Sequence, residues 1–193
     1  LKFNVLENEV VLLKPLAKED IQGLLVAGSY PEIWPYLPTA IENEMDVHNF
    51  VENALSNKDR QIEFPFVIVD KHSGQIIGST RYMDIDHKHK RLEIGTTWLT
   101  PAFWRTAVNT NCKYLLLSYC FDVLGLHRVQ IKTDHENIRS QRAIERIGAT
   151  KEGILRNHMI RKDGSIRHTV MYSMTLEEWP EVKARIEQFL ALT

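Results

Sequence analysis

The middle of the chain constrains its fold most. An apolar strand pattern over Lys88–Leu99 is followed by a long helical pattern over Val108–Leu124 and a second strand pattern over His127–Asp134. Two strands joined through a helix of that length cannot form a hairpin, so this crossover calls for parallel pairing. The segments on either side read differently. Phe66–Asp70 and Gln75–Asp84 are joined by the turn residues His72-Ser73-Gly74, and Ile154–Arg161 and Arg167–Met174 by Asp163-Gly164. Both pairs predict antiparallel hairpins. The expected architecture is a mixed, mostly antiparallel sheet flanked by helices, in the α/β (α+β) class.

The remaining elements follow from periodicity. Val10–Leu13 reads as a short strand, Lys18–Gly28 as a helix, and Tyr30–Pro38, with three prolines, as a loop. Met45–Leu55 reads as a helix with Met45, Phe50, Val51 and Leu55 inward. Along Lys88–Leu99, strict alternation puts Leu92, Ile94, Thr96 and Trp98 on one face and Glu93, Gly95, Thr97 and Leu99 on the other. The central helix places Val108, Cys112, Leu115, Leu116, Tyr119 and Val123 inward, with Gly125 at its stop. Asn137–Ile147 reads as a short helix closed by Gly148, and a last helix runs from about Glu177.

The 193 residues suit one domain over 1–193, with a core of about 8–176 and a C-terminal helix over 177–193. A formal net charge of −1 gives no global pull toward nucleic acid or an anionic membrane. No apolar run is long enough to span a bilayer, and the N-terminus lacks a signal-peptide core. The two cysteines, Cys112 and Cys120, fall about 12 Å apart on one helix, too far for a disulfide. They read as core residues of a cytoplasmic protein.

Two stretches carry the chemistry. One runs Glu93-Ile94-Gly95-Thr96-Thr97-Trp98-Leu99 through Pro101 and Trp104 into Thr106-Ala107-Val108-Asn109-Thr110. The other runs from His127-Arg128 through Asn137, Ser140, Ala143-Ile144 and Ile147-Gly148-Ala149 to Glu152-Gly153 and Leu155-Arg156. In order and spacing they resemble the GNAT N-acetyltransferase superfamily, in its RimJ/RimL-type branch of ribosomal-protein-alanine N-acetyltransferase-like proteins. The resemblance covers nearly the whole chain. It implies the GNAT acyl-CoA acyltransferase fold and transfer of an acetyl group from acetyl-CoA to a primary amine, by direct attack in a ternary complex.

The resemblance also assigns a site. Trp104, Arg105, Thr106, Ala107, Val108, Asn109 and Thr110 align with the loop that holds the coenzyme A diphosphate on backbone N–H groups at a helix start. Trp104, Ala107 and Asn109 replace the family's usual polar and small residues there, and the branch commonly has glycine where Arg105 stands. Leu99 aligns with the end of a strand that splays from its parallel neighbour. Asn137 aligns with a residue that bonds the pantetheine arm, and Ser140 with a donor to the leaving thiolate. Ordinary helix capping is the competing explanation of Asn137, and the matched motif around it favours the binding role. Glu93, a carboxylate within an apolar strand, is the first choice for general base, ahead of His158.

His87, His89 and His135 lack the companions of a metal site, so no metal is expected. The acceptor side would be built from the Tyr30–Pro38 loop, the first two helices and the last hairpin, with Trp34, Tyr36 and Tyr82 as candidate lining. Expected partners are an amine substrate, either a ribosomal-protein N-terminus or a small molecule, and neither nucleic acid nor membrane. A homodimer is left open. Two other readings compete, an acyl-CoA-binding protein without turnover and a protein-interaction domain, both suggested by the altered loop.

Overall fold

A computed structural model describes residues 2–192. Eight strands form one sheet: β1 (Leu6–Glu7), β2 (Val11–Pro15), β3 (Phe64–Asp70), β4 (Ile76–Asp86), β5 (Arg91–Leu99), β6 (Arg128–Asp134), β7 (Thr150–Ile160) and β8 (Ile166–Thr175). Their order across the sheet is β1-β2-β3-β4-β5-β6-β8-β7. Among the described residues only β5 and β6 pair in parallel, as the crossover predicts. Every other neighbouring pair is antiparallel.

Five helices cover the sheet: α1 (Ile21–Gly28), α2 (Glu44–Asp59), α3 (Val108–Ser118), α4 (Ile138–Arg146) and α5 (Trp179–Ala191). One apolar cluster joins α1 and α2 to Val67 and Trp98. A second joins α3, α4 and α5 to Phe66, Ile68, Leu92, Ile94, Val129 and Ile131. Adjacent residues of β3, Val67 and Ile68, thus belong to different cores, which is what a sheet buried on both faces requires.

Three expectations about inward faces are corrected. In α2 the buried residues are Val47, Phe50, Val51 and Ala54, while Met45 is 72% exposed. Met45 lies in the first turn, before the helix settles on its partner. Beyond Ser118 the central helix continues as a π turn over Tyr119–Val123. The extra residue per turn rotates the rest of the helix, so Cys120 and Phe121 point inward and Val123 is 65% exposed. The third correction, in β5, shapes the site.

Candidate active site

Strands β5 and β6 pair over only three positions, Arg91↔Arg128, Leu92↔Val129 and Glu93↔Gln130. Then β5 runs on to Leu99 and β6 to Asp134 without further pairing. The cause lies in β5. Ser79 pairs with Trp98 but Arg81 pairs with Gly95, so Thr96 and Thr97 together oppose Thr80. This is a β-bulge, and Thr96 adopts φ 46° to make it. A bulged strand bends, whereas β6 is held along its length by seven consecutive pairs with β8. The two strands therefore part like a fork. The bulge also resets the alternation: Leu99 joins Leu92 and Ile94 in the α3-side core, while Trp98 points to the α1–α2 side against Trp34. Hydroxyls of Thr80 and Thr97 bond at 2.8 Å, and Lys113 on α3 donates to Thr97 Oγ1 at 2.9 Å.

Glu93 is the last paired residue before the fork opens, and its side chain is 2% exposed. Gln130 Nε2 donates to its Oε2 at 3.1 Å, and Lys132 Nζ lies 3.0 Å from the same oxygen. Gly95 makes the room, since a Cβ there would lie 2.9 Å from Glu93 Oε1 and 2.7 Å from Met83 Sδ. Farther along β6, on the same face, Asp134 receives Arg161 Nε at 2.7 Å and a second guanidinium nitrogen at 2.9 Å. Burial works to raise the Asp134 pKa, but the hydrogen bonds from Arg161 and the Glu136 N–H, together with the charges of Arg161 and Arg167, hold the carboxyl below its ordinary value.

The loop of interest begins after a 3-10 turn at Pro101–Phe103. Trp104 Nε1 donates to Leu99 O at 2.8 Å, and the ring touches both apolar clusters. Arg139, on the first turn of α4, lies with its guanidinium 3.7 Å over that ring. The cation–π contact ties the loop to α4 across the mouth of the fork. Burial, then repulsion from Arg105, keep the Arg139 guanidinium below its usual value. Arg105 is exposed and has φ 60°, so the left-handed residue of this loop is Arg105. Ala107 has φ −69° and needs no glycine. The first intrahelical bond runs from Asn111 N–H to Ala107 O, so the earlier amides of α3, at Asn109 and Thr110, point out of its N-terminus. Thr106 Oγ1 accepts from Val108 N–H at 3.3 Å.

Asn137 caps α4, its Oδ1 accepting from Ser140 N–H at 3.0 Å. The capping explanation is thus real, and it commits one end of the side chain. Ser140 is half-buried, and its hydroxyl makes no hydrogen bond among the described residues. His158 is exposed and meets Thr169 Oγ1 at 3.0 Å through Nδ1. Two proposed lining aromatics belong to the interior. Tyr82 is fully buried and donates to Leu116 O at 2.9 Å, and Trp34 donates to Gly28 O at 2.9 Å. Tyr36 alone stays half-buried in its loop, its carbonyl facing Arg167. Among the described residues, no group of three His, Cys, Asp or Glu side chains is arranged to hold a metal.

Sequence reasoning missed Gln130, Lys132, Arg139 and Arg167. The first two had a signal, the polar alternation of β6 between Val129 and Ile131. Arg139 had none, because its partner lies 35 positions away and is not an acid.

A mixed sheet forked at its parallel pair, with a helix N-terminus beside the fork, is the architecture of an acyl-CoA-dependent acyltransferase. The chain belongs to the acetyltransferase (GNAT) domain family, which matches residues 11–150, and it is an N-acyltransferase of that family. A putative acetyltransferase from T. thermophilus is 35% identical, with TM-score 0.89 and 98% of each chain covered. The N-acetyltransferase YoaA of Bacillus subtilis (strain 168) is 27% identical over 89% of this chain and 97% of its own. RimJ of Mycobacterium smegmatis, solved in complex with CoA-disulfide, shares the fold at 20% identity and TM-score 0.80, over 96% of this chain and 91% of that one.

Proposed function

We propose that this chain binds acetyl-CoA along the fork and transfers the acetyl group directly to a primary amine, with Glu93 as general base. The observation that carries the reading is the fork itself. Past Glu93, β5 leaves β6, so backbone groups are freed beside a buried carboxylate and next to the N-terminal amides of α3. Acetyl-CoA supplies an activated thioester and an anionic diphosphate. The outward N–H groups of Asn109 and Thr110 suit the diphosphate, and Arg105 and Arg139 add charge at the same mouth. Ala107 fits, because its φ is one any residue adopts. Freed N–H groups toward Leu99 provide donors for a developing oxyanion. Glu93 keeps Oε1 without a hydrogen bond while Lys132 and Gln130 hold Oε2, so one oxygen is positioned to take the amine's proton. Ser140 Oγ is a free donor on the helix that faces the loop and suits the departing thiolate. The buried free thiols Cys112 and Cys120 suit a reducing compartment such as the cytoplasm.

Calorimetric titration of acetyl-CoA tests the binding half. Micromolar affinity, about −8 kcal/mol, is expected. Arg105→Ala and Arg139→Ala should each weaken it by about 1–3 kcal/mol. Release of the coenzyme A thiol tests the chemical half: Glu93→Gln should lower kcat by about 10²–10⁴-fold with affinity for acetyl-CoA retained. Binding without turnover in the wild type, over a broad panel of amines, would support the binding-protein reading instead.

A further inference from the structure

We infer that the acceptor amine carries a carboxylate close to its amino group, and that Arg167 binds that carboxylate. The inference rests on the acetyltransferase reading above and concerns the acceptor side of the same cleft. Side chains of β6 alternate, so Gln130, Lys132 and Asp134 share the face that carries Glu93. Across from them on β8 stand Ser173, Met171 and Thr169, and Arg167 is the next residue on that face.

Charge on this face is matched except at one place. Glu93 is held by Lys132, and Asp134 is held by both edges of Arg161. Arg167 is the third cation, and it has no acid of its own. Its Nε lies 4.0 Å from Asp134 Oδ2, beyond hydrogen-bond reach, and is buried without a partner. Its one hydrogen bond is long, 3.4 Å to the carbonyl of Tyr36 in the 31–38 loop. The residue as a whole is 8% exposed. Glu136 pairs with Arg161 at 3.1 Å and makes no ion pair with Arg167. His135 lies 3.2 Å from Asp134 and 3.8 Å from Glu136.

A buried guanidinium with unmet donors is one anion short of a satisfied arrangement. The planar fork of arginine matches a carboxylate in two parallel hydrogen bonds. Arg167 bonds the loop proposed to cover the acceptor side and lies on the sheet face that carries Glu93. A carboxylate seated on Arg167 therefore brings the rest of the acceptor toward the proposed base. A polycation would instead bring positive charge to a buried guanidinium that no acid hydrogen-bonds.

The test uses the wild-type enzyme with matched acceptors: leucine against leucinamide, and phenylalanine against phenylalaninamide, with spermidine and an alanyl peptide amide alongside. The amides have the more readily deprotonated amines, so a preference for the acids cannot come from amine basicity. Release of coenzyme A thiol should show kcat/KM at least tenfold higher for the acid of each pair, expressed in KM. Arg167→Gln should abolish that difference, Arg167→Lys should keep part of it, and the affinity for acetyl-CoA should not change in either. Equal turnover within the pairs, a preference for spermidine or the peptide amide, or equal loss on both members in Arg167→Gln would overturn the inference. So would bound acetyl-CoA with no turnover of any carboxylate-bearing acceptor. Absence of acetyl-CoA binding would instead overturn the underlying acetyltransferase reading.

Discussion

On the face of the sheet covered by α3, one ammonium, that of Lys113, is buried against hydroxyls. On the opposite face, two buried carboxylates, Glu93 and Asp134, are met by the half-buried cations Lys132 and Arg161, and Arg167 is buried beside the 31–38 loop. The Lys113 amine has Thr97 Oγ1 as its hydrogen-bond partner, and the hydroxyl of Thr110, one turn earlier, is buried with none. Burial pulls the Lys113 pKa down to about 8, with the neighbouring Cys112 a smaller opposing influence. Across the sheet, Asp134 is as deeply buried, yet its pKa falls below the ordinary carboxylate value, because Arg161, the Glu136 N–H and the charge of Arg167 together compensate the loss of water. Burial alone does not decide whether a charge is comfortable. The partner does, and the partner is set by which strand or helix lies opposite.

The largest effect should come from breaking the compensated side. Asp134→Ala removes the buried carboxylate that Arg161 holds in two hydrogen bonds, and the loss should be about 3–5 kcal/mol. Urea unfolding would register it as a lower midpoint at an unchanged slope. The same carboxylate gives an acid limit. Its folded pKa is depressed below 3.8, so its stabilisation is complete well above that pH and is lost as pH falls through the folded value.

Lys113→Met should act in the other direction. The lysine in the folded state holds its proton less tightly than in the unfolded chain, where its pKa is about 10.4. Between pH 8 and about 10.4 the unfolded state binds more protons, so wild-type stability rises with pH across that window relative to the variant. Below pH 8 the full penalty is present, and removing the charge should stabilise the fold by up to about 3 kcal/mol, less the lost bond to Thr97. Thermal unfolding of both proteins from pH 6 to 10 measures this. Parallel curves would refute the idea of an uncompensated ammonium.

The smallest effect should be at the rim. Arg128 and Glu152 pair with side chains 29% and 39% exposed. Water already solvates both, so Arg128→Ala should cost no more than about 1 kcal/mol, and less at high salt. A loss equal to that of Asp134→Ala would mean that exposure does not separate the two kinds of pair.

The parallel crossover, both hairpins, the cap at Asn137 and the turn at Gly148, where φ is 95°, were legible because each depends on local spacing or local backbone chemistry. The faces of β5 were half legible. Alternation placed Glu93 apart from Leu92 and Ile94 correctly, then failed at Thr96, because the inserted residue of a bulge leaves no mark in a pattern of period two. Val123 failed for the same kind of reason, a π turn that shifts the helical phase. Tyr82 and Trp34 look like cleft aromatics in a list of residues. They are core residues because a carbonyl waits for each hydroxyl or indole N–H inside the protein.

The amino-acid sequence by itself determined the order of the elements, the mixed sheet and the family of the chain. These follow from periodicity, turn chemistry and motif spacing, all of which are properties of neighbouring residues. The tertiary structure alone decided where the fork opens, that Arg139 stacks on Trp104, that Glu93 and Asp134 have cations while Arg167 lacks an anion, and that Lys113 meets only hydroxyls. Each of these depends on residues far apart in the chain and on which face of a bent strand they share. A side chain's charge is written in the sequence, but what surrounds that charge is set only when the strands and helices have packed.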